Sequence, residues 1–146
     1  VKGLEKYGHE ALAEVIARKN MQTMHKVFQS TGTIWELYSP DMYMPATDAT
    51  SIHMVKPNFV GWSGLIPISM FIENIIGIRT DGSANRINWR SNSPKRHGIQ
   101  NLRFGNITTT LIREGDTLDI QSNAPYTLEI NGIEHDIKEG NNQIQL

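Results

Sequence analysis

Pro67-Ile68-Ser69-Met70-Phe71-Ile72-Glu73-Asn74-Ile75-Ile76-Gly77 is the stretch on which the reading of this chain turns. Proline suits a first helical turn, where its missing N–H costs no hydrogen bond, and Gly77 supplies a stop. Between them apolar side chains point nearly all round a helical wheel, the pattern of a helix enclosed by other helices. After residue 78 the pattern changes to short alternating runs separated by Gly, Asn, Pro and Asp.

Upstream, Leu4 and Tyr7 read as the end of a helix stopped at Gly8. From about His9 to Gln29, Leu12, Val15, Ile16, the stem of Lys19, Thr23 and Val27 fall near helical spacing, widened by Ala11, Met24 and Phe28. That predicts an amphipathic helix closed at Gly32. Residues 33–60 hold no sustained period and carry Pro40, Pro45 and Pro57, yet Ile34, Trp35, Leu37, Tyr38, Met42, Tyr43, Met44, Phe59 and Val60 make them too apolar for a disordered segment. Downstream, strands are expected over Arg86–Arg90, Ile99–Phe104, Ile107–Arg113, Thr117–Gln121, Tyr126–Ile130, Ile133–Ile137 and Gln143–Leu146. Asn131-Gly132 is the strongest hairpin signal among their connections, because both turn residues must tolerate positive φ. Strands at this spacing point to an antiparallel sandwich.

Composition narrows the function classes. With 38% hydrophobic residues the chain can bury a core, and a net charge of -1 gives no electrostatic reason to bind nucleic acid or an anionic membrane surface. No cysteine is present, which excludes disulfides, thiolate metal sites and cysteine nucleophiles. His9, His25, His53, His97 and His135 lack ligand spacing, so no metal and no cofactor are expected. The apolar stretch from Leu65 to Ile78 is interrupted by Pro67, Ser69, Glu73, Asn74 and Gly77, and falls short of the roughly 20 residues of a membrane span. Arg90, Lys95, Arg96 and His97 beside Trp89 read as a solvated loop. Gly61-Trp62-Ser63-Gly64 is not a serine-hydrolase elbow, since the second glycine comes one residue too early.

Reactive and aromatic groups concentrate in Thr33-Ile34-Trp35-Glu36-Leu37-Tyr38-Ser39-Pro40-Asp41 and Pro57-Asn58-Phe59-Val60-Gly61-Trp62-Ser63-Gly64. A carboxylate between aromatics is how a sugar site is often built: ring faces stack on the apolar side of a pyranose while the carboxylate does acid or base work. On composition alone the plainer reading is the favoured one: Glu36 as a partly exposed loop acid, with Trp35 and Tyr38 as interhelical packing.

Trp35-Glu36-x-Tyr38-x-Pro40, then Phe59-Val60-Gly61-Trp62-Ser63-Gly64-Leu65-x-Pro67-Ile68, resembles the C-terminal end of the (α/α)6-barrel glycosidases. These are the trehalase-like enzymes and the group containing processing α-glucosidase and its bacterial relatives. Lys2-Gly3-Leu4-x-Lys6-Tyr7-Gly8 resembles a helix of the same barrels, and the likeness covers residues 1–78. It implies the last helices of an incomplete toroid over 1–78, followed over 79–146 by a small antiparallel β-sandwich, an α+β chain overall. It also implies Glu36 as general base of an inverting α-glycosidase acting on an α-linked glucoside or oligosaccharide. The general acid, an Asp, would lie upstream of Val1; Asp41 and Asp48 do not match it. Trp35, Tyr38 and Trp62 would line the sugar pocket, though each is equally suited to packing between inner helices. The absent initiator Met fits a chain cut inside a barrel. The fragment alone is expected to be inactive, and to associate with the upstream part of its own chain or with another copy through its helical faces. The rival reading is a non-catalytic carbohydrate-binding or interaction domain.

Overall fold

The computed structural model describes residues 1–46 and 60–146, apart from the side chain of Ser63. Asp48, His53, Pro57, Asn58 and Phe59, singled out above, lie outside the described residues. The chain forms two compact units, Val1–Ile75 and Ile76–Leu146, and its class is α+β, with few helices and two four-stranded sheets.

In the first unit, α1 (Lys2–Lys6) runs to Tyr7 and stops at Gly8, whose φ is +78°. α2 (Glu10–Thr31) ends at Gly32, in the left-handed conformation at φ +75°. Both glycines sit where a side chain would strain the backbone, so the stops follow from the sequence. α2 packs against α1 and against α3 (Leu65–Met70). The face it buries agrees with the expected stripe at Met24 and Val27, but toward the start of the helix Ala13 and Ala17 are covered instead, whereas Leu12, Val15, Ile16 and Phe28 stay substantially exposed. Two alanines without atoms beyond Cβ let neighbouring backbones approach, and the bulkier side chains turn to the adjacent face.

The segment around Pro67 is also less regular than its pattern predicts. A 3-10 turn at Gly61–Gly64 leads into α3, and the chain widens to a π-helical turn over Phe71–Ile76. Pro67 lies in the first turn of α3 and is buried, as its missing N–H allows. Leu65, Ile68 and Phe71 remain exposed, so the described residues do not supply the enclosure that the all-round apolar pattern calls for. α1 is tied to this segment by an ion pair from Lys2 to Glu73 at 3.2 Å and by the Asn74 amide, which donates to Glu5 Oε1 at 2.7 Å. Three α-helices among the described residues do not make a toroid.

In the second unit the strands are β1 (Ile78–Asp81), β2 (Arg86–Trp89), β3 (His97–Phe104), β4 (Ile107–Glu114), β5 (Thr117–Ser122), β6 (Tyr126–Ile130), β7 (Ile133–Ile137) and β8 (Gly140–Gln145). One sheet has the order β1-β2-β6-β7 and the other β3-β4-β5-β8. The expectation of an all-antiparallel sandwich is corrected at one ladder: β2 and β6 run parallel, with Ile87 opposite Leu128 and Trp89 opposite Ile130. Alternation tells which face a residue takes, not which strand lies beside it. β1 escaped the sequence reading because Ile-Arg-Thr-Asp is too short and too polar to register as a run.

The core of this unit comprises Ile78, Ile87, Trp89, Leu111, Leu118, Leu128 and Ile130. The Trp89 indole N–H donates to the Ile76 carbonyl at 2.9 Å, and its ring stands edge-on to His97 at 5.6 Å. Phe104 and Tyr126 meet at 5.5 Å in the same edge-to-face manner. All three aromatics are therefore core residues. The basic cluster beside Trp89 is dispersed: Arg96 pairs with Glu114 at 3.5 Å, while His97 turns to Ser91.

Ser91, 2% exposed, is the polar knot of the unit. Its N–H donates to Asn131 Oδ1 at 2.9 Å, and its carbonyl accepts from Asn131 Nδ2 at 3.0 Å and Arg113 Nη1 at 2.8 Å. His97 Nδ1 lies 2.6 Å from the Lys95 carbonyl, which can only accept. In the neutral ring the proton therefore sits on Nδ1, and the Ser91 hydroxyl donates to Nε2 at 2.8 Å.

Burial pushes the Tyr126 phenol up to about 12, opposed in part by its hydrogen bond with Thr109. Between the unfolded value of 10.0 and that value, the unfolded chain has released a proton that the folded one keeps, so stability falls as pH rises. The loss is at most about 1.4 kcal/mol per pH unit in that window. Subtracting the denaturation profile of Tyr126→Phe from that of the wild-type chain should isolate this slope above pH 10. Parallel profiles would remove Tyr126 as its source.

Candidate active site

Glu36 follows the C-terminus of α2, and the sequence there anchors it by its neighbours. Thr31, the last residue of the helix, donates its hydroxyl to the Val27 carbonyl at 2.8 Å. The same oxygen accepts the Trp35 indole N–H at 2.9 Å. The backbone N–H of Trp35 donates to the Tyr38 hydroxyl at 3.0 Å. The four residues Trp35-Glu36-Leu37-Tyr38 are thus closed into a turn by an aromatic hydroxyl, and the turn hangs from the helix end by an indole. Glu36 is half-buried within it.

A short pairing carries the chain onward. Tyr38 bridges to Pro45, Ser39 N–H donates to the Met44 carbonyl at 3.0 Å, and Ala46 N–H donates to the Leu37 carbonyl at 3.2 Å. At its tip the Ser39 hydroxyl accepts from the N–H groups of Asp41 and Met42, at 3.3 and 3.2 Å. Asp41 therefore belongs to the turn and faces solvent. Lys26 of α2 sets its ammonium 3.6 Å above the Tyr43 ring, a cation–π contact that pins the tip back to the helix.

Of the four residues singled out by the sequence, the structure brings Trp35, Glu36 and Tyr38 together in this turn. Trp62 stands in the 3-10 turn, 87% exposed, and among the described residues no hydrogen bond or ring contact links it to them. Gly61 has φ +51°, and a Cβ on Gly64 would come within 2.8 Å of Val60 Cγ2, so both glycines have backbone reasons to be there. Thr31, Lys26 and Tyr43 were missed by sequence reasoning. The spacing Thr31-x-x-x-Trp35 across the glycine stop was the available signal for the first.

Chemically, the turn offers one carboxylate on a backbone held at both flanking residues, while the polar atoms of its aromatic neighbours are occupied by local hydrogen bonds. Among the described residues no group of three His, Cys, Asp or Glu gathers to hold a metal, and no helix is long and apolar enough to cross a membrane.

No family model matches the chain. A curated protein from Borreliella burgdorferi (strain ATCC 35210 / DSM 4680 / CIP 102532 / B31), described only as uncharacterized, is 26% identical over 140 residues, a match taking in 90% of this chain. The chain spans 30% of that relative's length. Among solved structures, a chain described as a kojibiose phosphorylase from the human microbiome aligns with a TM-score of 0.41 and 14% identity, over 56% of this chain and 12% of that one.

If the helix end positions the turn, Thr31→Val, which leaves the Trp35 indole N–H without its acceptor, should cost about 1 kcal/mol. Proteolytic cleavage within residues 33–46 should rise while Thr31→Ser behaves as wild type. Equal cleavage in all three chains would mean that the turn is held some other way.

Proposed function

We propose that this chain is the C-terminal part of an inverting α-glycosidase of the (α/α)6-barrel type, acting on an α-linked glucoside or oligosaccharide. Residues 1–78 supply the last barrel helices and the general-base loop, and residues 79–146 an appended β-domain. Glu36 is the general base. Its carboxylate takes a proton from a water that attacks the anomeric carbon, while an Asp upstream of this chain protonates the departing glycosidic oxygen. One bond forms and one breaks at the anomeric carbon, on opposite faces, so its configuration inverts. Trp35, Tyr38 and Trp62 present rings to the sugar.

The observation that carries this reading is the turn at Glu36. A general base must be held within hydrogen-bond reach of its water, and here the two flanking aromatics fix the backbone on either side of the carboxylate through Thr31 Oγ1 and the Tyr38 hydroxyl. The order of the three motifs along the chain supports the same assignment. The exposed Leu65, Ile68 and Phe71 support it further, since a barrel would cover them.

In the intact enzyme, Glu36→Gln should lower kcat by roughly 10²–10⁴-fold with the fold retained, and product anomers followed by NMR should show inversion. The carboxyl of Glu36 and that of the acid should stand about 6.5–9.5 Å apart, leaving room for the water. Full activity in Glu36→Gln would reject Glu36 as base. The present chain alone should not turn over glycosides; sugar binding by it without hydrolysis on supplying the upstream part would favour a binding module.

A further inference from the structure

Along β4, Ile107, Thr109 and Leu111 are buried, so Thr108 and Thr110 turn to the opposite face of the sheet. The ladder sets Gln121 of β5 opposite Thr110. Just past β5 the chain stays beside β4, because Asn123 Oδ1 accepts from the Thr108 N–H at 2.7 Å. On the other side, β3 is bulged between Ile99 and Leu102. There Asn101 takes φ +55°, a conformation that asparagine tolerates better than most residues, and its N–H donates to Thr110 Oγ1 at 3.1 Å. A bulge re-aims the side chains it carries.

These residues enclose a groove of about 270 Å³, walled by Asn101, Thr108, Thr110, Gln121 and Asn123. Thr109 and Ser122 complete it; both are buried, and their hydroxyls are engaged with Tyr126 and the Ala124 carbonyl. Among the described residues lining the groove none is charged, aromatic or aliphatic. Arg103 and Asp119 are neighbours in the same ladders, yet neither lines it, and Asp119 is bound by Gln143 Nε2 at 2.8 Å. The side-chain amides of Asn101 and Gln121, the Thr108 hydroxyl and Asn123 Nδ2 make no hydrogen bond to any described residue, and Thr110 keeps a hydroxyl hydrogen to donate.

The lining decides the class of ligand. An anion calls for a cationic partner, a cation for carboxylates, and an apolar molecule for aliphatic or aromatic walls. Amides and hydroxyls that both donate and accept match a neutral molecule dense in hydroxyl groups. We infer that this groove is a saccharide-binding site of the β-unit, taking one unit of a neutral oligosaccharide through its hydroxyls. Its volume is near the lower end of the range for small-molecule pockets, about 300–1,000 Å³, which suits one sugar ring and not a longer stretch. With hydrogen bonds and no ring to stack on, affinity should be about millimolar. This inference goes beyond the glycosidase reading and stands whether or not Glu36 is a base.

The test is an NMR titration of the isotope-labelled full chain with maltotriose and with cellotriose, into the tens of millimolar. At least one of the two should move the amides of Asn101, Thr110, Gln121 and Asn123 along one saturating curve. Asn101→Gly keeps the left-handed backbone and removes the amide, and Gln121→Ala removes the amide from an exposed position. Each should weaken binding about fivefold, the worth of one hydrogen bond, and the second stands in if the first does not fold. Shifts at these amides with neither sugar overturn the proposal, as does undiminished binding in whichever variant folds. Shifts confined to Trp35, Tyr38 and Trp62 overturn it while sparing the glycosidase reading. Groove shifts with N-acetyltriglycine amide and not with the sugars would assign the groove to peptide amides instead, and overturn it too.

Discussion

The parallel pairing of β2 with β6 is the constraint on which the β-unit depends. Two neighbouring parallel strands cannot be joined by a tight turn, so the chain must leave one sheet and return. Here the excursion consists of β3, β4 and β5, which build the second sheet before β6 comes back beside β2. The same ladder sets Trp89 opposite Ile130 and leads straight into the Asn131 turn, whose side chain reaches Ser91.

Much of this was written in local patterns, and its limits are physical. Tyr126, Leu128 and Ile130 alternate with Thr127 and Glu129, and that period marked β6 as a strand, whose first set the structure buries. The Asn131-Gly132 turn was legible because few residue pairs tolerate φ of +49° and +84° in succession. The partner of β6 was not legible, because period-two alternation is silent about neighbours. Along α2 the helical period was right, and the choice of face was right at Met24 and Val27 but not in the first half of the helix. Counting apolar residues favours Leu12, Val15 and Ile16, while close helix approach favours Ala13 and Ala17.

The candidate site divides in the same way. Trp35, Glu36 and Tyr38 were found as residue types at a spacing, and the structure gathers them in one turn. What organises them, the Thr31 hydroxyl at one end and Lys26 over Tyr43 at the other, lies outside any motif, since it depends on where the helix stops and how the loop folds back. Thr31 ties its hydroxyl hydrogen to the Val27 carbonyl one turn back and offers its lone pair to the indole. In this way a helix end sets the position of a side chain four residues farther on.

Asn131 shows how narrowly one position can be determined. Its backbone must accept positive φ, and its side chain must at once accept from the Ser91 N–H and donate to the Ser91 carbonyl. Glycine satisfies the first demand and neither of the others. Aspartate suits the backbone but, once ionised, has no hydrogen to donate and would set a lone pair against that carbonyl. Glutamine carries the right amide on a longer stem, with little tolerance for the left-handed region. Three demands that are each common on their own intersect at a single amino acid, so in any set of functional sequences sharing this clamp, drift at the hairpin tip should be confined to the other residues around it.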